Sequence, residues 1–178
     1  IILIERDSFV LQEWIIDDSC YNNCTGQITV QLLNQDNPPF NYVWDNGGAD
    51  TIISSLCSDT FELILFDFRL CRDTFDFFIN EPDSLSYDSI EVVHNLCYGD
   101  ENGAITIVDF TGGILPITYF WSNGVSTPIP GISSLPEGMY SVHIEDANEC
   151  AINVANIEVT EPDSLFATPS SLENVSCF

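Results

Sequence analysis

Residues 97–124 read CYGDENGAITIVDFTGGILPITYFWSNG, and residues 20–47 read CYNNCTGQITVQLLNQDNPPFNYVWDNG. The two stretches align without a gap, and 10 of their 28 positions are identical, whereas average amino-acid usage gives about two identities by chance. The shared residues are of types that define turns and cores, such as Gly26/Gly103, Trp44/Trp121 and Gly47/Gly124. The chain therefore contains an internal repeat.

The repeat extends in both directions from this stretch. Residues 81–85 return as 161–165, both reading EPDSL, residues 53–56 match 132–135, and Cys71 matches Cys150. We predict two whole repeats, at 10–86 and 87–166, with the end of a preceding repeat at 1–9 and the start of a following one at 167–178. Because residue 1 is not Met and the sequence starts within a repeat, we expect the chain to be part of a longer protein.

Apolar and polar residues alternate with a period of two within each copy. Ile28, Val30 and Leu32 alternate with polar neighbours, which is typical of β-strands with one buried face. The pairs Asn46-Gly47 and Asn123-Gly124 indicate tight turns. We therefore predict an all-β protein made of tandem immunoglobulin-like antiparallel β-sandwich repeats, each of about 78 residues with about seven short strands.

Composition excludes several classes of function. The 178 residues are 45% hydrophobic, enough for a core, and three arginines against 28 acidic residues give a net charge of −25. Nucleic-acid binding and adhesion to anionic membranes both need basic residues, so neither is expected. No apolar run reaches the roughly 18 residues that would span a bilayer, so we expect no membrane insertion.

The second copy carries a long ordered motif, whose residues are Cys97, 103–106, Gly112-Gly113, Pro116, Tyr119, Trp121, Asn123-Gly124, Leu135-Pro136, Gly138, Tyr140, 146–148, Cys150 and Glu161-Pro162. In this motif the copy resembles the SprB repeat. The resemblance covers essentially the whole chain and implies a very large cell-surface adhesin of Bacteroidota, exported by the type IX system and associated with gliding motility.

The first copy departs from this motif. Gln35-Asp36 replaces the Gly-Gly pair, residues 57–59 replace Pro-x-Gly, and Phe61 replaces the tyrosine. We interpret it as a diverged repeat.

Seven cysteines in a chain with only two histidines favour disulfides in an oxidising compartment over metal ligation. The aligned positions predict Cys20–Cys71 and Cys97–Cys150 as the bond of each repeat. Cys24 and Cys57 both lack counterparts in the second copy, which predicts a further bond, Cys24–Cys57. Cys177 is left to pair with a residue outside the segment, and free buried thiols are the alternative.

Two aromatic pairs, Tyr42 with Trp44 and Tyr119 with Trp121, recur in the two copies. Exposed rings could stack against sugars, which would make the chain a glycan-binding module with surface polysaccharide as a partner. The alternative is packing in the core of the sandwich, which a feature repeated in every copy favours.

Acidic residues near the ends of the repeats could bind calcium and stiffen a tandem array. The candidates are Glu81, Asp83, Asp88, Glu161 and Asp163. No spaced Asp-x-Asp loop accompanies them, and acids spread over all copies are more typical of a solvated, mutually repelling surface. We otherwise expect no cofactor.

Short Asp-Ser/Thr-Leu/Ile sequences look like the O-glycosylation signal of Bacteroidota. The candidate acceptors are Ser84, Ser164, Ser89 and Thr51. The alternative is that the aspartates cap turns at the exit of each repeat.

No catalytic residues are predicted, because neither histidine recurs and no nucleophile motif is present. The sequence favours a non-enzymatic stalk segment of an extracellular adhesin on the outer cell surface. Its partners would be neighbouring repeats of the same chain.

Overall fold

The computed structural model describes residues 9–34 and 38–168, and the regular secondary structure of this part is entirely β-strand. The chain forms two compact units. Unit 1 comprises Ile1–Ser86 with the segments Thr111–Ile117 and Glu145–Ala151, and unit 2 comprises Tyr87–Phe110, Thr118–Ile144 and Ile152–Phe178. Two segments that the sequence assigns to the second repeat thus belong to unit 1.

Unit 1 contains two three-stranded antiparallel sheets, ordered β1-β2-β4 and β3-β5-β6. This is the order of strands A-B-E and C-F-G in an immunoglobulin domain. Its strands are β1 (Leu11–Ile16), β2 (Gly26–Leu32), β3 (Asn41–Trp44), β4 (Ile52–Leu56), β5 (Asp59–Phe66) and β6 (Arg72–Ile79).

The inward faces of the two sheets form the core of unit 1. Ile28 and Val30 of β2 are buried with Trp44 of β3, Leu63 of β5 and Ile79 of β6 in one cluster. The alternation in the sequence therefore identifies the buried face of β2 correctly, and burial of these side chains is the main force that closes the sandwich.

Unit 2 has the same arrangement with one strand more. Its sheets are ordered β11-β8-β7 and β10-β9-β12-β13. Its strands are β7 (Ser89–Val93), β8 (Gly103–Val108), β9 (Thr118–Trp121), β10 (Ser126–Thr127), β11 (Gly131–Leu135), β12 (Gly138–Glu145) and β13 (Ala151–Val159). Ile105, Trp121, Val142, Ile144 and Val159 are among its buried residues.

A bulge recurs where the second strand of each unit begins. The pairing register shifts at Ser55 in unit 1 and at Ser134 in unit 2, and both serines have positive φ. In unit 1 the bulge lies opposite Gly26, where a Cβ atom would be 2.7 Å from the Ile79 side chain. In unit 2 it lies opposite Gly103, where a Cβ atom would be 2.6 Å from the Val159 side chain. The glycine that begins each Gly-x-Ile motif is therefore required by close packing.

The predicted fold class, an all-β immunoglobulin-like sandwich, is confirmed. The Asn-Gly pairs form turns closed by bonds from Gly47 N to Trp44 O and from Gly124 N to Trp121 O, 3.0 and 2.9 Å long. The turn at Asn123-Gly124 connects β9 to β10, and these two strands pair with each other. Among the described residues, the turn at Asn46-Gly47 is not followed by a strand that pairs with β3, whose partner is β5.

Candidate functional site

A cluster of loops in unit 1 surrounds a disulfide between Cys20 and Cys150, whose Cα atoms lie 5.6 Å apart. We call this group the Cys20–Cys150 cluster. It consists of the loop 17–25, the linker 80–86 and the segments 111–117 and 145–151, all of which belong to unit 1. It contains most of the motif residues that are not in the sheets.

The loop 17–25 is fixed by acidic side chains that accept backbone hydrogen bonds. The buried Asp18 carboxylate accepts from the N–H groups of Thr25 and Gly26. Glu81 Oε2 accepts from Asn22 N at 2.6 Å, between Cys20 and Cys24. A disulfide joins Cys24 to Cys57, as the sequence predicts. The loop is thus linked to Gly26 at the start of β2, to Glu81 just after β6 and to Cys57 between β4 and β5.

The corresponding loop of unit 2 uses the same positions. Asn95 replaces Asp18 and accepts from Asn102 N and Gly103 N at 2.8 and 2.7 Å. Glu161 Oε2 accepts from Gly99 N at 2.8 Å. The recurring glutamate of the EPDSL motif therefore anchors the loop that carries the first cysteine of each repeat.

The turn that carries Cys150 is organised by Asp146. This buried carboxylate accepts from Asn148 N and Cys150 N at 2.8 and 2.9 Å with one oxygen, and from Ile114 N at 2.9 Å with the other. Charge-assisted bonds to backbone N–H groups are stronger than neutral ones, so the turn is well defined. Asp67 holds the equivalent turn before Cys71 through two 2.8 Å bonds.

The disulfide pairing corrects two predictions. Cys20 bonds to Cys150, not to Cys71, and the predicted Cys97–Cys150 bond is not formed, so Cys71 and Cys97 carry free thiols. Cys71 directly precedes β6, whereas Glu81, just after β6, contacts the Cys20 loop. Eight residues of strand separate these two ends by about 27 Å, while a disulfide needs Cα atoms within about 7 Å.

The same reasoning applies to the second repeat. Cys150 directly precedes β13, and Glu161, which follows β13, contacts Gly99 beside Cys97. The nine-residue strand β13 therefore keeps Cys97 away from Cys150. Cys177 lies outside the described residues.

Further contacts surround the disulfide. Asn148 Nδ2 donates to Ser19 O at 3.1 Å, Gly113 N donates to Asp83 O at 3.1 Å, and Ala147 N donates to Ile114 O at 2.9 Å. Ser86 and Thr111 exchange two backbone hydrogen bonds of 3.0 and 2.8 Å. The linker residues are thus tied by backbone bonds to the segment 111–117.

Gly112 and Gly113 are required by this contact. Both have positive φ, 81° and 69°, and a Cβ atom on Gly112 would overlap the carbonyl oxygen of Ser84. A Cβ atom on Gly113 would overlap the side chain of Leu85. Sequence reasoning identified the Gly-Gly pair, the Asp146 turn and Asn148 only as motif residues. Their spacing offered no signal that they meet the linker.

We expect Gly112→Ala to destabilise unit 1 by about 3 kcal/mol. Positive φ costs about 1 kcal/mol for a residue other than glycine, and the overlap with Ser84 adds 1–3 kcal/mol. Gly47→Ala is the matched control within unit 1, since Gly47 has φ of +88° but nothing within 4 Å of its Cβ position. Urea unfolding of both variants measures the difference, and equal losses would show that the Ser84 contact contributes nothing.

The aromatic candidates lie mainly in the cores. Trp44, Trp121 and Tyr119 are 2%, 3% and 3% exposed, so their rings cannot stack against a sugar, and the glycan-stacking prediction is wrong for them. Tyr42 is half-buried and packs against the unit 1 core. The interpretation of these rings as core residues is the one that the structure supports.

Burial raises the pKa of Tyr42 and of Tyr119 above the ordinary value of 10.0. The folded state thus favours the neutral phenols, so their contribution to stability is complete below pH 10 and decreases as the pH rises through the higher folded pKa values. We expect a tyrosinate absorbance titration to show a late fraction that Tyr42→Phe and Tyr119→Phe reduce. A single transition of all six tyrosines near pH 10, with the fold intact, would contradict this.

The five proposed calcium ligands differ in their contacts and exposure. Glu81 and Glu161 anchor loops as described above, and Asp83, Asp88 and Asp163 are exposed. Within residues 9–34 and 38–168, no three His, Cys, Asp or Glu side chains are close enough together to hold a metal ion. Calcium binding stays a hypothesis from the sequence.

The four O-glycosylation candidates differ in exposure. Ser84, Ser89 and Thr51 are exposed, and Ser164 is half-buried. A modifying enzyme could reach the first three without unfolding the sheets. The described part of the chain has no helix that is both long and apolar enough to cross a membrane.

Residues 89–126 match the family model of the SprB repeat. The match begins with β7 and ends at the first residue of β10. Among solved structures, the chain is similar to the C-terminal 282-residue fragment of intimin, in complex with the intimin-binding domain of the translocated intimin receptor. The similarity has a TM-score of 0.45 and 12% identity, covering 84% of this chain and only 64% of that fragment.

A comparison with curated proteins found no match. The match to the SprB repeat model confirms the resemblance predicted from the motif for residues 89–126, which are 38 of the 178 residues.

Proposed function

We propose that this chain is a non-enzymatic structural segment of a large secreted adhesin, in which tandem β-sandwich repeats form a stalk on the outer cell surface. The observation that carries the proposal is the SprB repeat at residues 89–126. Its loop anchors, Asn95 and Glu161, have counterparts in Asp18 and Glu81 of unit 1. The chain therefore repeats one structural plan, as a stalk requires.

Chemistry supports an extracellular location. Two disulfides in 178 residues are typical of proteins that fold in an oxidising compartment. A net charge of −25 keeps neighbouring chains apart and soluble through mutual repulsion. Both properties suit a long fibre outside the cell, and on the basis of the SprB resemblance we propose a role in gliding motility and export by the type IX system.

The stalk role is preferred over glycan binding because the repeated tryptophans are buried. It is preferred over an enzyme because the recurring polar residues hold loops through backbone N–H groups. Glycosylation at Ser84, Ser89 or Thr51 would be compatible with the same role, since all three side chains are exposed.

Surface accessibility of the parent protein tests the proposal. We expect antibodies raised against this 178-residue chain to label intact cells that express the parent protein, and brief protease treatment of those cells to remove the label. An epitope that appears only after cell lysis would contradict the extracellular assignment. Loss of gliding on deletion of the repeats would support the finer role, and unchanged adhesion and gliding would overturn it.

A further inference from the structure

Unit 2 has an open surface groove of about 460 Å³, lined by residues 96–98 and 162–165. The groove is apolar and strongly exposed, since Leu96 and Tyr98 are 78% and 64% exposed and Leu165 is fully exposed. The free thiol of Cys97 lies within its lining. A contiguous apolar surface beside a free cysteine is unusual for a secreted protein and indicates a partner.

Part of the corresponding surface in the first repeat is covered, although Tyr21, the counterpart of Tyr98, is 56% exposed. Residues 19–21 correspond to 96–98, and residues 82–85 correspond to 162–165. Ser19 O accepts from Asn148, Cys20 is bonded to Cys150, and Asp83 O accepts from Gly113 N. Leu85 is half-buried beside Gly113, whereas its counterpart Leu165 is bare.

All the groups that cover this surface come from the segments 111–117 and 145–151, which belong to the second sequence repeat. Unit 1 is thus completed by two loops of the repeat that follows it in the chain. The corresponding loops for unit 2 would come from the next repeat.

The two free thiols fit this rule. Cys97 is the repeat counterpart of Cys20, and Cys71 is the counterpart of Cys150. The turn before Cys71 is held by Asp67 in the way that Asp146 holds the turn before Cys150. Each free thiol therefore occupies a position that is bonded in the other copy.

We infer that successive repeats are joined by a ladder of disulfides, in which the Cys20-type cysteine of one repeat bonds to the Cys150-type cysteine of the next. The groove around Cys97 receives the Gly-Gly loop and the Asp-x-x-x-Cys turn of the following repeat. Cys71 bonds to the Cys20-type cysteine of the preceding repeat, without the Gly-Gly contact, since residues 35 and 36 are Gln and Asp. Each bond forms when two thiols lose two protons and two electrons to a disulfide oxidant, whose own S–S bond is reduced to two thiols.

The ladder has a mechanical consequence for a stalk under tension. The 130-residue separation between Cys20 and Cys150 cannot be drawn out while their bond is intact. Repeating the bond along the array extends this restraint to every repeat.

A chain with a third repeat tests the inference. Residues 1–166 are followed directly by residues 87–178, so that Leu165-Phe166-Tyr87 reproduces the junction Leu85-Ser86-Tyr87. Cys71→Ser, Cys177→Ser and, in the added copy, Cys97→Ser remove the thiols whose partners in the inferred ladder lie outside this chain. After oxidation with oxidised glutathione, we expect a peptide that links Cys97 to Cys150 of the added copy, with complete loss of alkylated Cys97.

A matched control carries Cys150→Ser in the added copy. In this variant Cys97 should become alkylated again, while the Cys20–Cys150 bond of the original copies is retained. Free thiols at both Cys97 and the added Cys150, in a chain that has formed Cys20–Cys150, would overturn the inference. A bond between Cys97 and Cys150 of the original second repeat would do the same.

Disulfide mapping of the native parent protein gives an independent readout if the added copy fails to fold. Cys97 should be linked to the Asp-x-x-x-Cys turn of the following repeat, and Cys97 recovered as a thiol would contradict the ladder. The inference rests on one part of the proposed function, namely that the parent protein contains successive repeats. Intracellular localisation of the parent would therefore refute the function without deciding the bonding pattern of the oxidised three-repeat chain.

Discussion

Trp44→Ala is expected to lower the free energy of unfolding of unit 1 by about 4 kcal/mol, since truncating a buried tryptophan removes its burial energy and leaves a cavity. Trp44 is 2% exposed, its ring lies 5.4 Å from that of Phe77, and its indole N–H donates to Asp50 O at 2.9 Å. The substitution also leaves that carbonyl without its donor. Hydrogen exchange of the β5 amides in increasing urea measures the loss for unit 1.

Trp14→Ala provides the control, since it removes the same side chain from a position that is 51% exposed. We expect Trp14→Ala to change the stability by less than about 1 kcal/mol. Similar losses for the two variants would contradict the assignment of Trp44 to the core. They would also reopen the glycan-stacking interpretation.

Replacing Cys20 and Cys150 together with serine is expected to cost unit 1 up to about 5 kcal/mol. The bond closes a sequence separation of 130 residues, and in the chain-entropy model the stabilisation grows with the logarithm of loop length. The variant should also increase hydrogen exchange in the segments 111–117 and 145–151. Exchange mass spectrometry and urea unfolding under non-reducing conditions measure both effects.

The matched control replaces Cys71 and Cys97 with serine. Neither residue is bonded in this chain, so their replacement should leave the unfolding midpoint close to that of the original protein. A larger loss for the Cys71/Cys97 pair than for the Cys20/Cys150 pair would contradict the observed bonding.

The fold could be predicted from the sequence because it follows from local sequence patterns. The alternation at Ile28, Val30 and Leu32 identified a strand and its buried face, and the recurrence of Trp44 at Trp121 identified two copies of one sandwich. These signals depend on residues that are neighbours in sequence or in a sheet. The interpretation of the tryptophans as core residues followed from their repetition and is supported by their burial.

The disulfide pairing was not accessible from the repeat offsets. Cys20 and Cys71 recur as Cys97 and Cys150, and this pattern fits bonds within a repeat and bonds to the next repeat equally well. Strand direction distinguishes them, since Cys71 and the Cys20 loop lie at opposite ends of β6. The contact of Gly113 with the linker was missed for a related reason, because residues 83 and 113 are brought together only by the tertiary structure.

The roles of the acidic residues could be predicted from the sequence only in part. Glu81 and Glu161 were considered as calcium ligands because acids recur at the junctions, but their carboxylates accept backbone hydrogen bonds from Asn22 and Gly99. A carboxylate that anchors a loop and one that binds a cation have the same sequence pattern. Only the position of its hydrogen-bond donors separates the two.

Disulfide mapping of the oxidised 178-residue chain tests the central claim most directly. Chymotrypsin cuts after the exposed Tyr21, between Cys20 and Cys24, so the peptides of these two cysteines can be told apart. The structure predicts linked peptides for Cys20–Cys150 and Cys24–Cys57, with Cys71 and Cys97 recovered as alkylated thiols. Linked peptides for Cys20–Cys71 and Cys97–Cys150 would contradict it and would confine each disulfide to its own repeat.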